Sequence, residues 1–208
     1  MNQKIIEDIL SKSFGFDKSS LEKLRIYHDK ILEFNKKYNI ISKNTENDIW
    51  QRHILDSAQV IKYIEFKNDK SLADMGSGAG FPGMVLAIYN NNPRFHVKLY
   101  EKSKVKCQFL NEIKNLLNVN VNIYPESYIN HKIDSYYVVS RAFKKLDEIM
   151  EISREIIKVN HRLIVLKGEN AQKEINNLSE SIKYRYELLE SITNKDSKIL
   201  IVEVEKKN

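Results

Sequence analysis

Ten residues concentrate the chemistry available to this sequence: Asp74-Met75-Gly76-Ser77-Gly78-Ala79-Gly80-Phe81-Pro82-Gly83, which hold four of its six glycines. Glycine has no Cβ, so the backbone can turn sharply and approach a nucleotide closely. A bare strand-to-helix turn also uses glycine, but one or two suffice. Gly78 to Gly83 satisfies the spacing G-x-G-x-x-G, and Glu101 follows where an acid can accept both hydroxyls of a ribose. Two ligand classes compete for this layout. One is a nicotinamide dinucleotide, in an oxidoreductase or redox sensor. The other is S-adenosylmethionine, which has no pyrophosphate and carries a sulfonium cation. Asp74, two residues before Gly76, suits the cation and would repel a pyrophosphate if it pointed inward, which favours a methyltransferase.

The remaining polar candidates are scattered. His53 and Asp56 stand three apart on one helix face, a spacing that suits a structural pair. The functional alternative places Arg52 and His53 beside the cofactor mouth. Arg141 and Lys167 close predicted strands, where open α/β sheets place ligand contacts; a surface salt bridge is the plain alternative for Arg141, and Lys167 could meet a phosphate. Cys107 reads as a small buried helix residue, and Trp50 and the N-terminal tyrosines read as packing. The five histidines show no HxxxH or HxH pair and there is a single cysteine, so neither a metal site nor an internal disulfide is expected.

The elements that must position these residues fall into two parts. The first 65 residues read as helix throughout: Leu21, Leu24, Tyr27, Ile31, Phe34 and Tyr38 recur at steps of three and four, and Thr45 with its acidic followers reads as a capping box opening the next helix. From residue 71 short apolar runs alternate with helical stretches, as βαβ units require. Strands are expected over 71–75, 96–101, 119–124, 134–140 and 162–167. Helices are expected over 82–90, 103–117, 143–158 and 169–182, the second burying Val105, Phe109, Ile113 and Leu116. Two further strands, 184–190 and 198–205, are joined by a turn too short for a crossover and must pair antiparallel. The expected fold is α/β: a Rossmann-like sheet of five parallel strands plus a C-terminal antiparallel hairpin, with an N-terminal helical cap. The domains would be a cap over 1–65 and a methyltransferase domain over 66–208, forming a single compact unit.

At 208 residues the chain can bury a core without a disulfide or metal. Lys and Arg number 34 against 28 Asp and Glu, a formal charge of +6, of which +5 falls on residues 71–168. That surplus permits a polyanionic partner without demanding one. No apolar run approaches the length of a membrane span, and the N-terminus lacks a signal-peptide layout. The expectation is a cytoplasmic monomer with no membrane partner.

Taken together the motifs resemble the RsmG (GidB) family of bacterial 16S ribosomal RNA (guanine-N7) methyltransferases, which are class I S-adenosylmethionine-dependent enzymes. The segment from Leu72 to Gly83 resembles that family's L-D-V-G-S-G-A-G-F-P-G, with Ala73 inserted and Met75 for Val. Arg52-His53-Ile54-Leu55-Asp56-Ser57 resembles its R-H-x-x-D-S, Ser140-Arg141-Ala142-Phe143 its S-R-A-F, and Leu166-Lys167-Gly168 its L-K-G. The resemblance implies methyl transfer from S-adenosylmethionine to N7 of a guanine in the 530 loop of small-subunit ribosomal RNA, whether free or in the small ribosomal subunit. It also implies cofactor contacts at Gly76, Gly78, Phe81, Glu101, Pro125, Glu126 and Arg141, with RNA contacts at Arg52, His53 and Lys167. No catalytic base is expected, because guanine N7 carries a free lone pair at neutral pH. Pro125 departs from the pattern, since it has no backbone N–H to offer.

Overall fold

The structure is a computed structural model and describes residues 1–141, 144–176 and 185–206. The chain opens with α1 (Gln3–Phe14) and α2 (Lys18–Tyr38), capped by the side chains of Asn2 and Asp17, which accept from Ile5 N and Ser20 N. Leu24, Tyr27 and Ile31 are buried as the spacing predicts, while Tyr38 at the helix end is exposed. Beyond α2 the expected long helix is replaced by short segments of unequal pitch. A 3-10 turn spans Lys43–Asp48, a π-helical stretch Trp50–Leu55, then α3 (Asp56–Ala58) and a 3-10 turn Gln59–Tyr63. Thr45 caps nothing. Its hydroxyl donates to Ser42 O at 2.7 Å within the first 3-10 turn and lies 2.9 Å from His53 Nε2. The π-widened stretch carries Arg52 and His53, and such distortions concentrate at functional sites.

The sheet contains β1 (Ser71–Met75), β2 (His96–Tyr100), β3 (Val121–Tyr124), β4 (Tyr137–Arg141), β5 (His161–Lys167), β6 (Tyr186–Glu190) and β7 (Lys198–Val204). Their spatial order is β3-β2-β1-β4-β5-β7-β6. The first five strands pair in parallel. β7 enters between β5 and β6, antiparallel to both. The hairpin is therefore present, and β7 alone runs against the sheet, since β6 is returned to the direction of the first five.

Helices α4 (Gly83–Tyr89), α5 (Lys104–Leu117), α6 (Leu146–Ile156) and α7 (Ala171–Asn176) fill four of the connections, and the one from β3 to β4 carries only a 3-10 turn, Tyr128–Asn130. Residue 143 of the expected third crossover helix, 177–182 of the fourth and residue 184 of the sixth strand lie outside the described residues. The buried stripe of α5 is Cys107, Phe109, Leu110, Ile113 and Leu117; Val105 and Leu116 face solvent. Strand residues alternate between two cores, as a period of two requires. Leu72, Leu99 and Val139 join α4, α5 and the N-terminal helices in one core, while Ala73, Met75 and Val138 pack with α6 on the other face. No helix among the described residues is long and apolar enough to cross a membrane.

Candidate functional site

The loop from β1 to α4 is shaped from within by Asp74. Its carboxylate is fully buried, and Oδ2 accepts the Gly83 N–H at 2.8 Å. A Cβ on Gly83 would collide with Leu99 and lie 2.6 Å from Asp74 Oδ2, so that glycine serves close packing of helix on strand. Burial raises the Asp74 carboxyl to about 7, against the lowering effect of the Gly83 N–H. Asp74 therefore does not supply the cleft-facing acid that its position suggested, because its side chain turns under the loop.

Glu101 supplies that acid instead. Its Oε2 accepts Gly78 N–H at 2.8 Å and its Oε1 accepts Ser103 N–H at 2.7 Å. Each oxygen keeps lone-pair capacity for a further donor. Gly78 has φ +60°, and a Cβ there would meet nothing closer than 4.0 Å, which leaves room for a ligand against the backbone. Gly76, Gly78, Glu101 and Glu126 line one cavity of about 670 Å³, with Tyr128 and the exposed Ile129 on its wall. A ribose diol fits the donor-hungry Glu101, and a flat base fits the apolar wall.

A second cavity, about 630 Å³, opens beside the ends of β4 and β5 and under the turn joining β6 to β7. It gathers Arg52, His53, Asp56, Arg141 and Lys167. Arg52 is exposed. His53 is buried, bonded to Thr45 rather than to Asp56 as the i,i+3 spacing suggested. Burial, reinforced by the charges of Arg141 and Arg52, lowers its imidazole to about 3, so it is neutral at physiological pH and is no general acid there. Asp56 is turned toward Gln59, Ser191 and Thr193 instead. Lys167 donates to Glu174 Oε2 at 2.7 Å and Lys144 O at 2.5 Å, so its ammonium is already engaged.

The expected cofactor contacts thus divide. Arg141 sits in the second cavity with the expected RNA contacts, its guanidinium donating to Arg52 O at 3.2 Å. Phe81 is buried and lines neither cavity: its ring lies 5.4 Å from Tyr27, 4.9 Å from His53 and 4.9 Å from the Arg141 guanidinium. Pro125 is exposed and lies beside, not within, the lining of the first cavity. Ala142 and Phe143 of the S-R-A-F stretch are outside the described residues. Tyr27 does more than pack. Its hydroxyl donates to Ala79 O at 2.5 Å and so ties α2 to the glycine loop. Its i,i+3 and i,i+4 spacing marked it as buried, but nothing local marked the bond. Among the described residues no group of three or more His, Cys, Asp or Glu could hold a metal.

Comparison with known proteins bears on these cavities. Residues 20–202 match the family GidB, rRNA small subunit methyltransferase G. A ribosomal RNA small subunit methyltransferase G of Rickettsia felis is 38% identical over 182 residues, spanning 88% of this chain and 92% of that protein. Among solved structures, a SAM-dependent O-methyltransferase from Thermotoga maritima superposes with a TM-score of 0.62 at 15% identity, covering 88% of this chain and 72% of that one. A SAM-dependent methyltransferase from Aquifex aeolicus gives 0.58 at 14% identity, covering 85% and 97%. These two likenesses are of fold.

Proposed function

The chain belongs to the GidB family, rRNA small subunit methyltransferase G, and from that premise we propose that it methylates N7 of a guanine in the 530 loop of 16S ribosomal RNA, using S-adenosylmethionine. The observation that carries this reading is the pairing of two cavities at the C-terminal ends of the parallel strands, one built on Glu101 and the glycine loop, the other on arginines. The nicotinamide alternative has no counterpart in the family.

Bound S-adenosylmethionine supplies a methyl group made electrophilic by its sulfonium. Glu101 accepts the ribose hydroxyls while its bonds to Gly78 and Ser103 fix its direction. Gly76 and Gly78 let backbone lie against the ligand, and Glu126 stands at the exposed rim. Phe81 acts by holding the loop against His53 and Arg141 rather than by touching the cofactor. Arg52 and Arg141 meet the RNA. With a neutral His53 and a base whose N7 lone pair is already free, proximity and alignment provide the rate enhancement. Residues 1–65 act as a cap on the 66–208 domain. The protein works as a cytoplasmic monomer on the ribosomal RNA or the small subunit.

Mass mapping of ribosomal RNA from a strain lacking the gene tests the reading. Loss of one N7-methylguanosine in the 530 loop, restored by the gene, is expected; a complete methyl complement refutes it.

A further inference from the structure

Asp56 and Arg141 face the second cavity without pairing with each other. Asp56 is anchored through one oxygen: Oδ1 accepts from Gln59 Nε2 at 2.8 Å, Thr193 Oγ1 at 2.9 Å and Ser191 Oγ at 3.3 Å. The other oxygen, Oδ2, has no donor among the described residues. Gln59 also accepts Ile192 N–H at 3.1 Å, so the β6–β7 turn and the helical cap hold this carboxylate from both sides. Arg141 donates to Arg52 O and stacks on Phe81, and its other N–H groups have no acceptor among the described residues. Its charge and that of Asp56 act on each other, yet they form no ion pair. Among the described residues Asp48 is the other carboxylate on this cavity, and it is exposed and has no such anchoring there.

A fixed acceptor and an unspent donor fork on one cavity match a ligand with a donor edge next to an acceptor. Guanine is such a ligand: N1–H and the 2-amino group donate, and O6 accepts. We infer that Asp56 is the guanine-selecting residue, its Oδ2 accepting from the N1–H and 2-amino edge while Arg141 donates to O6. N7 lies on the far side of O6 from N1, so these contacts leave its lone pair free. Adenine would set its N1 lone pair against the carboxylate. Methylation makes the ring cationic, and Asp56 is the anion placed to favour that charge. The inference rests on the guanine-N7 reading above.

The test uses small subunits reconstituted around ribosomal RNA with guanosine or inosine, which lacks the 2-amino group, at the target position. The wild-type protein and Asp56→Asn are compared. Asn keeps an acceptor for the Oδ1 anchors and replaces Oδ2 with a donor. The wild type should favour guanosine by about tenfold or more in kcat/KM. Asp56→Asn should lose about ten- to a hundredfold on guanosine and most of that preference, with S-adenosylhomocysteine affinity retained. Equal wild-type rates on both RNAs, or equal losses on both in Asp56→Asn, overturn the inference. So does tighter RNA binding by Asp56→Asn at unchanged preference, which would mark a phosphate pocket. If the variant does not fold, the wild-type ratio decides alone. A wild-type protein that methylates neither RNA refutes the N7 reading itself, a separate outcome.

Discussion

Two buried titratable groups beside the glycine loop pull stability in opposite directions with pH. The Asp74 carboxyl, raised by burial to about 7, holds a proton in the folded state that the unfolded chain releases near its ordinary value. Stability from this group is present at low pH and is lost as pH rises toward 7. His53, lowered by burial to about 3, stays neutral while the unfolded chain takes up a proton. Its contribution is present above about 6.5 and is lost as pH falls toward 3. The two offset each other between these limits. Asp74→Asn should therefore make stability climb more steeply with pH between about 4 and 6.5 than it does in the wild type. Urea denaturation of both proteins at several pH values checks this, and a variant profile no steeper than that of the wild type counts against it. At Glu101 the expectation concerns binding: Glu101→Ala should weaken S-adenosylhomocysteine by at least about tenfold, because a charged acceptor is lost. Calorimetry on the folded variant reads it, and unchanged affinity removes Glu101 from the site.

At the scale of elements, the glycine loop separates two uses of the same residue. Gly83 lets α4 settle onto β1 and β2 beside Leu99 and Asp74. Gly78 faces open space at positive φ. Gly83→Ala should cost about 3 kcal/mol or more through overpacking. Gly78→Ala should cost about 1–2 kcal/mol in backbone strain and leave a folded protein, with its main loss in cofactor binding. Thermal melts and titration of the two variants together distinguish these outcomes. The sequence showed that four glycines gather here, but equal letters concealed unequal duties. Which glycine meets a neighbour and which meets a cavity depends on where α4 and β2 lie. The segment after α2 shows the same limit. Its apolar spacing is helical, yet 3-10 and π turns replace the regular helix; Thr45 bonds locally to Ser42 and also to His53, eight residues on, a link that no local pattern marks.

Across the whole molecule, the N-terminal helices and one face of the sheet share a core. Tyr27, Ile31 and Ile54 pack in the same cluster as Phe81, Leu99 and Leu110. A chain shortened to residues 66–208 would lose the Tyr27 bond to Ala79 and uncover Phe81. It should express as aggregate or as a state that binds hydrophobic dye, without a cooperative melt. A soluble, cooperatively melting fragment would show that residues 1–65 are dispensable for folding. The N-terminal part also builds the second cavity directly, since Arg52, His53 and Asp56 line it.

The sequence by itself determined the alternation of strands and crossover helices, the glycine loop with Glu101 after it, and the motifs that mark the family, because each rests on periodicity or spacing within a short stretch. Tertiary structure alone decided which acid faces the cleft, since Asp74 and Glu101 differ only in the direction their side chains take once the strands pair. It also moved Arg141 to the second cavity, engaged Lys167 with Glu174, and brought the β6–β7 turn to Asp56 from more than 130 residues away. Contacts of that range arise from the order in which strands assemble, with β7 placed between β5 and β6, and that order is written in no local pattern.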